Sequence, residues 1–280
     1  MNYLNTQTTS ANRPGNNLTP EMKTYYDRAL IRFASPKLVH AQFGQQKPIP
    51  AGSGKTIEFR RFSPLPKALT PLTEGVTPKG NTLNVTTVES TVEQYGDYIT
   101  MSDMLTLSAV DSVISETQTV LGDQAGRTLD TVIREKVNAG TNVQYGSGKA
   151  DRNLLVGGQA DYGDNDYLTV AAVKRAVATL KRNNAAPFKD GCYVAIIHPY
   201  AAYDLKTCKE FIEAHKYADP DTMYRGEIGK LGNIRFIETS EAKIWKDATC
   251  PVGLAVFGTL VLGAHAYGVT ELEGGGLEHI

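Results

Sequence analysis

The chain has 280 residues, of which 41% are hydrophobic and 21% are charged, and its 29 Lys and Arg face 30 Asp and Glu. The formal net charge of −1 argues against a dedicated nucleic-acid binder, which carries a basic domain, and against intrinsic disorder, which combines high net charge with low hydrophobicity. Three scattered cysteines do not make a disulfide framework, and residues 1–17 hold no apolar core of a signal peptide, so we expect a globular protein of a reduced compartment.

The N-terminal segment predicts an arm that needs a partner surface. Residues 1–17 are rich in Asn and Thr, which is typical of a flexible segment. Thr19 can cap a short amphipathic helix whose apolar positions run from Met22 to Phe33 at helical spacing, and Pro36 ends it. The apolar face of this helix must pack against its own subunit or against a neighbour.

Residues 47–101 predict a long, stiff excursion of the chain. The runs at 56–62 and 91–100 are β-like, and prolines and glycines followed by a Thr/Val-rich stretch separate them. Because proline fixes φ and resists collapse, this spacing favours an extended hairpin over a disordered linker. Such an excursion buries little of itself, so it makes structural sense if another chain covers it.

The longest predicted helix covers about residues 111–138, where apolar residues keep one face for about seven turns. Asp111 can cap its start and Gly140 its end. Gly122 and Gly126 lie four residues apart, which permits close approach of another backbone.

The second half of the chain predicts a mixed α/β unit. Thr169 caps a second helix that ends at the Asn pair 183–184, and short elements follow beyond Pro187. We predict strands at Cys192–Ile197, Ile234–Glu238 and Val252–Leu262, and a short helix at Tyr200–Thr207.

An uncharged stretch at residues 248–270 is long enough by count for a membrane helix. Its glycines at 253, 258, 263 and 268 recur every five residues and therefore share no helical face. Apolar residues at alternate positions between Val252 and Leu262 instead predict buried strands interrupted by glycine bends. We therefore expect no membrane span here.

A glycine-rich motif at residues 52–56 (GSGKT) resembles the end of a nucleotide-binding P-loop. The full motif requires a glycine where Ile49 stands, a strand before it and a helix after it. Prolines precede this motif and a β-like run follows it, so we predict a turn that enters a strand. An ATPase is retained only as a distant alternative.

No metal or thiol chemistry is indicated, and we expect neither a cofactor nor a catalytic residue. The cysteines and histidines lack the short spacings of zinc sites. Cys192 and His198 lie about 20 Å apart along an extended chain, too far for a nucleophile and its base, so Cys192 is predicted to be a buried apolar residue. His198, directly before Pro199, is predicted to be a hydrogen-bonding residue at a strand end.

Collinear strings over residues 25–278 resemble the major capsid proteins of tailed bacteriophages, in the branch related to the coat protein of a large-virion-polymerase podovirus. These strings are Tyr25–Leu30 (YYDRAL), Gly54–Arg60 (GKTIEFR), Pro71–Pro78 (PLTEGVTP), Gln94–Tyr98 (QYGDY), Ala214–Ala218 (AHKYA), Gly226–Gly229 (GEIG) and Ala266–Glu271 (AYGVTE). They are long and ordered, so the match is more specific than any short motif above.

The resemblance implies an α+β protein with the capsid fold shared by tailed phages and herpesviruses. Its expected parts are an N-terminal arm, an extended β-hairpin loop, a peripheral domain with a long helix, and an axial α/β domain. On this chain the arm corresponds to residues 1–50 and the extended loop to 51–101. The peripheral domain corresponds to 102–186, with its long helix at about 111–138, and the axial domain to 187–264. Residues 265–280 would return towards the peripheral domain, and we expect the natural chain to continue beyond Ile280.

The implied function is self-assembly into pentamers and hexamers of an icosahedral shell that encloses double-stranded DNA without sequence-specific binding. We expect assembly in a bacterial cytoplasm, with scaffold, portal and decoration proteins as further partners. An encapsulin-like shell around a protein cargo is the alternative within the same fold, and cross-linking through a loop lysine is a lesser possibility. The candidate subunit-interface residues are Tyr25, Tyr26, Arg28, Phe33, Arg60, Arg61, Lys67, Glu74, Lys79, Tyr95 and Tyr98.

Overall fold

A computed structural model describes residues 38–77, 79–100, 102, 113–157, 166–208, 210–211 and 230–273. The chain divides into two compact units, and unit 1 contains the described residues of 38–45 and 97–267. Unit 2 contains those of 46–96 and 268–273. The predicted helix between Thr19 and Pro36, and the predicted cap Asp111, lie outside the described residues.

The described helices are α1 (Val113–Asn138), α2 (Val170–Arg182) and α3 (Pro199–Thr207), with two 3-10 turns at Gly146–Gly148 and Arg152–Leu154. The described strands are β1 (Gln45–Gln46), β2 (Thr56–Phe62), β3 (Val85–Thr91), β4 (Tyr193–Ile197), β5 (Lys230–Leu231), β6 (Ile234–Glu238), β7 (Ile244–Trp245), β8 (Val256–Phe257), β9 (Leu260–Leu262) and β10 (Gly268–Val269).

The core of unit 1 is a sheet with the strand order β5-β6-β4-β9. Strand β4 runs parallel to β6 and antiparallel to β9, and all five of its residues are buried. A strand covered on both faces needs a continuous apolar run, which is the pattern that predicted β4. Val173 and Val177 of α2 and Leu205 of α3 pack into the same hydrophobic core.

Local capping positions both helices beside this sheet. Thr169 Oγ1 accepts a hydrogen bond from the Ala172 backbone N–H at 3.2 Å, which confirms the predicted start of α2. His198 Nδ1 accepts one from the Tyr200 N–H at 3.2 Å, so the predicted hydrogen bond at the end of β4 is confirmed as the N-cap of α3. Burial lowers the pKa of His198, as expected for a base held away from water.

The predicted strand over 252–262 is wrong in its first half. Val252 is fully exposed, beside Gly253 with φ +79°, and the structure places short strands only at β8 and β9. Gly258 lies between them and must be glycine for a steric reason, because a Cβ there would lie 2.6 Å from the Trp245 ring. Among the described residues, no helical segment combines the length and hydropathy that a membrane crossing requires.

Helix α1 buries a narrower and more polar stripe than its apolar pattern predicted. Its buried positions recur every four residues at Gln118, Gly122, Gly126 and Asp130, whereas Val120 is 58% exposed. Both glycines are thus buried, as the predicted close approach requires. The apolar periodicity identified the helix, but it did not identify which face of the helix is buried.

A buried polar network fastens residues 40–43 to α1 within unit 1. The Asp130 carboxylate accepts two hydrogen bonds from His40, one from its backbone N–H and one from Nδ1, both at 2.7 Å. The side chains of the pair are 1% and 0% exposed. The Tyr267 hydroxyl donates to the His40 carbonyl oxygen, so three distant segments of the chain meet at this point.

We expect Tyr267 to make the stability of the protein sensitive to alkali. Burial, aided by the Asp130 carboxylate and opposed by the Phe43 backbone N–H, raises the pKa of Tyr267 from 10.0 to about 12. Because the folded state holds this proton more tightly, the stabilisation is complete below pH 10 and disappears as pH rises towards 12. Wild type should therefore lose about 1–2 kcal/mol over this range relative to Tyr267→Phe, measured by denaturant unfolding, because partial exposure to solvent weakens the effect of the shift. Equal losses in both proteins would contradict the assignment.

Charged residues join the C-terminal half of α1 to the segment that follows β6. Arg127 Nε donates to Glu241 at 3.0 Å, and Arg134 donates to the Glu241 carbonyl oxygen at 2.6 Å. Lys243 pairs with Glu135. Partial burial by itself raises the pKa of Glu135, but the hydrogen bonds and charges of Lys243 and Arg134 outweigh it and lower this pKa overall.

Unit 2 contains the antiparallel hairpin of β2 and β3, in register from Thr56 opposite Thr91 to Phe62 opposite Val85. The second strand was predicted over 91–100, and this prediction is wrong because β3 ends at Thr91. The Thr/Val-rich run that the sequence reading assigned to the connection supplies the strand instead, since its β-branched residues suit a pleated surface. In the same unit, the backbone N–H groups of Lys47 and Ile49 donate to the carbonyls of Val269 and Glu271.

Candidate subunit interface

The β2–β3 hairpin exposes both of its faces within a single chain. Of its fourteen paired positions only Ile57, Phe59 and Ser90 are partly buried, and the others are exposed. An isolated two-stranded hairpin is marginally stable in water, because it lacks a covered apolar face. The hairpin therefore leaves surface that only another element can cover.

The residues between the two strands extend this exposed surface. We call residues 63–77 and 79–84 the hairpin tip, and they contain neither helix nor strand. Leu69 is 82% exposed and Leu72 is 77% exposed, which is unusual for leucine in a folded protein when several such residues lie together. The other large exposed apolar residues of the tip and of the two strands are Phe62, Leu65, Val76, Leu83, Val85 and Val88.

Prolines and one glycine restrict the backbone of the tip. Pro64, Pro66 and Pro71 fix their φ angles and cannot donate hydrogen bonds. Gly75 adopts φ +76° next to a turn in which the Val76 N–H donates to the Thr73 carbonyl at 3.2 Å. The structure thus contains a hairpin with an exposed tip in this region, and its assignment as a stiff extended loop stays a prediction.

The tip and the adjoining part of β2 are basic. Between residues 59 and 84 the sequence contains four basic residues and one acidic residue. All five are interface candidates and all are exposed: Arg60, Arg61, Lys67, Glu74 and Lys79. Glu58 and Glu89 are directly opposite each other in the hairpin, and two like charges in this position repel each other. Arg60 forms a salt bridge with the Glu58 carboxylate, at 3.6 Å between nitrogen and oxygen, which partly offsets this repulsion.

The two tyrosine candidates are also accessible. Tyr95 is 48% exposed and donates to Glu93 at 2.8 Å, a hydrogen bond that raises the pKa of Tyr95. Tyr98 belongs to unit 1 and is 78% exposed. Its neighbour Asp97 accepts from Gln124 of α1 at 2.6 Å and from the Tyr98 N–H, and these hydrogen bonds lower the pKa of Asp97.

Exposure makes the seven described candidates available to a neighbour, and their role in an interface stays a prediction. Tyr25, Tyr26, Arg28 and Phe33 lie outside the described residues. The reading of the sequence missed the leucines of the tip, which carry more apolar surface than the charged residues it selected. Their signal was available, because leucines in a proline-rich stretch without helical or strand periodicity have no intrachain core to enter.

The glycine-rich motif at residues 52–56 has the structure of a turn. Gly52 and Gly54 adopt φ +80° and +89°, and strand β2 begins at Thr56 where a P-loop would begin a helix. The prediction of a turn entering a strand is confirmed. Within the described residues, no group of His, Cys, Asp or Glu has the arrangement of a metal site, and Cys192 is buried as predicted.

Comparison with known proteins gives a consistent result. A family model described as phage capsid protein matches residues 85–274, more than half of the chain. The capsid protein of cyanophage P-SCSP1u is similar over 82% of this chain and 73% of its own, with 14% identity and a TM-score of 0.58. The capsid protein of Ralstonia phage GP4 is similar over 83% and 74%, with 14% identity and a TM-score of 0.56. No curated protein sequence matches significantly. The likenesses confirm the predicted α+β capsid fold.

Proposed function

Because this chain belongs to the phage capsid protein family and is a major capsid protein, we propose that it assembles into pentamers and hexamers of an icosahedral shell that encloses double-stranded DNA. The virion capsid is its location, and we place its assembly in the cytoplasm of a bacterial host. Scaffold, portal and decoration proteins complete the proposed set of partners.

Residues 1–50 are proposed as the arm and 51–101 as the loop that lies over a neighbouring subunit. Residues 102–186 are proposed as the peripheral domain, 187–264 as the axial domain, and 265–280 as the return segment. The exposed apolar tip is the observation that supports the loop assignment most directly, because burying a leucine is worth about 1.5–3 kcal/mol and one chain leaves Leu69 and Leu72 uncovered. A neighbouring copy would supply the missing cover.

The test is whether the purified full chain forms closed particles of uniform diameter, observed by electron microscopy and sedimentation. We expect shells built from fivefold and sixfold clusters. A chain that stays monomeric under all conditions that permit assembly of other capsid proteins would contradict the proposal.

The family match favours a phage capsid over an encapsulin-like shell, and the contents of native particles distinguish the two. We expect particles that carry DNA, whereas a co-purifying enzyme inside DNA-free particles would support the cargo shell. We further propose that the chain has no enzymatic activity of its own.

Replacing Lys55 by Ala is expected to change no ATP turnover, because the motif at 52–56 lacks the helix that would face phosphate. Phosphate release by wild type and Lys55→Ala should both equal the buffer blank. Turnover that disappears in the variant would restore the ATPase alternative.

A further inference from the structure

The solvent face of α2 carries a concentrated positive charge. Its exposed charged residues are Lys174, Arg175, Lys181 and Arg182, which we call the basic face. With the exposed small residues Ala171 and Ala178 they fall within about 120° of arc at 3.6 residues per turn. The two Lys-Arg pairs are seven residues apart, or about 10 Å along the helix.

The basic face is not neutralised by salt bridges within the described residues. None of its four members takes part in a salt bridge there, although carboxylates elsewhere are paired with Arg127, Arg134, Lys206, Arg235 and Lys243. Between residues 167 and 189 the sequence contains five basic residues and no acid. The net charge of −1 for the whole chain therefore conceals a strong local asymmetry.

Helix stability explains only half of this charge. Lys181 and Arg182 lie in the last turn of α2, where cations interact favourably with the helix dipole. Lys174 and Arg175 lie in the middle of the helix, where the dipole does not favour a positive charge. The first turn of α2 contains no acidic residue, although a negative charge would be favourable near its free N–H groups. Soluble helices usually intersperse both signs, as α1 does with Glu116, Arg127 and Glu135.

We propose that the basic face of α2 binds the phosphate backbone of double-stranded nucleic acid without reading its sequence. Lys and Arg are the side chains that contact phosphate, and sequence-independent affinity comes from such contacts. Ala171 and Ala178 allow close approach, because no bulky side chain stands between the two Lys-Arg pairs. The exposed amides of Asn183 and Asn184 extend the polar surface beyond the helix end.

This inference rests on the proposed shell, and it predicts which side of the subunit faces the interior of that shell. A face that binds duplex phosphates belongs on the side of the shell that meets packaged DNA, so α2 would line the interior. Four phosphate contacts per subunit give only a low affinity at physiological salt. Because the contacts repeat over many subunits, together they would hold the outer layer of DNA near the inner surface of the shell.

The experiment measures binding of the full, unassembled chain to a 30-base-pair duplex by fluorescence anisotropy at several salt concentrations. Four phosphate contacts predict a slope of about −3.6 for log K against log salt, which is roughly a 10²-fold loss of affinity between 50 and 200 mM. Replacing Lys174, Arg175, Lys181 and Arg182 together by Gln should lower affinity at 50 mM salt at least about tenfold and remove most of that slope. Circular dichroism and thermal unfolding verify that the variant is folded.

The matched control removes the same charge from scattered exposed positions by replacing Lys55, Lys136, Lys149 and Lys246 with Gln. Binding lost equally in both quadruple variants would overturn the proposal, because net charge alone would then explain it. Tighter binding of polyglutamate than of duplex at equal charge would also overturn it and indicate an acidic polypeptide partner. Shell formation is scored separately, so closed shells from a chain that fails the DNA test would leave the proposed function intact.

Discussion

Replacing Leu69 and Leu72 together by Glu is expected to abolish shell assembly and to leave the folding of the single chain unchanged. Both side chains are about four-fifths exposed in one chain, at 82% and 77%, so the substitutions remove no intrachain core. In an assembled shell, each covered leucine would contribute about 1.5–3 kcal/mol, and the pair would therefore cost about 3–6 kcal/mol at every copy of the contact. Placing carboxylates under a neighbouring subunit would add a desolvation penalty.

Sedimentation and electron microscopy measure assembly, and thermal unfolding measures the fold of the subunit. A suitable control is the pair Leu154→Glu and Val156→Glu, which adds the same charge at half-exposed apolar positions of unit 1. Normal shells from the Leu69 and Leu72 variant would refute the assignment of the tip as an interface. Loss of thermal stability in this variant would show that the tip folds onto its own chain.

Replacing Asp130 by Ala is expected to destabilise unit 1 by about 2–6 kcal/mol, because each of the two buried His40 donors left without an acceptor costs about 1–3 kcal/mol. The His40 backbone N–H and Nδ1 would lose their acceptors in a place where water cannot replace them, since the pair is 1% and 0% exposed. The His40–Asp130 network fastens residues 40–43, and unit 2 begins three residues later at Gln46. The variant should therefore also assemble poorly.

Thermal unfolding of the variant and of Asp130→Asn tests this expectation. The asparagine variant keeps one oxygen acceptor for the His40 N–H, so we expect it to retain about half of the stabilisation. Glu116→Ala, at an exposed position of the same helix, should change stability by less than about 1 kcal/mol. An Asp130→Ala protein as stable as Glu116→Ala would show that the buried pair is energetically neutral.

Much of the local structure follows from short-range rules that operate along the chain. The Thr169 cap and the apolar spacing of Val173 and Val177 predicted α2, and the buried run at 193–197 predicted β4. These patterns are readable because capping and helical periodicity depend on residues within a few positions of one another. The proline-stiffened excursion was predictable for the same reason, whereas the register of its second strand was not.

The boundaries that failed depend on partners far apart in sequence. Strand β3 occupies 85–91 because those residues pair with β2 across more than twenty intervening residues. Strand β8 covers only Val256 and Phe257 because those two residues pair with β7, and the Trp245 ring excludes a side chain at Gly258. Neither the strand pairing nor the position of the Trp245 ring can be inferred from the local spacing of apolar residues.

By itself the sequence determined the family resemblance, the helices α1, α2 and α3, the strands β2, β4 and β6, and the presence of a long excursion unsuited to a single-chain core. The tertiary structure gave the degree to which the tip leucines are exposed, which their proline-rich surroundings already indicated. It alone showed that the basic face of α2 has no salt bridge among the described residues. It also showed the His40–Asp130–Tyr267 network, whose members are up to 227 positions apart. Local propensity acts between neighbours in the chain, while burial, pairing and unbalanced charge arise between residues that only the fold brings together.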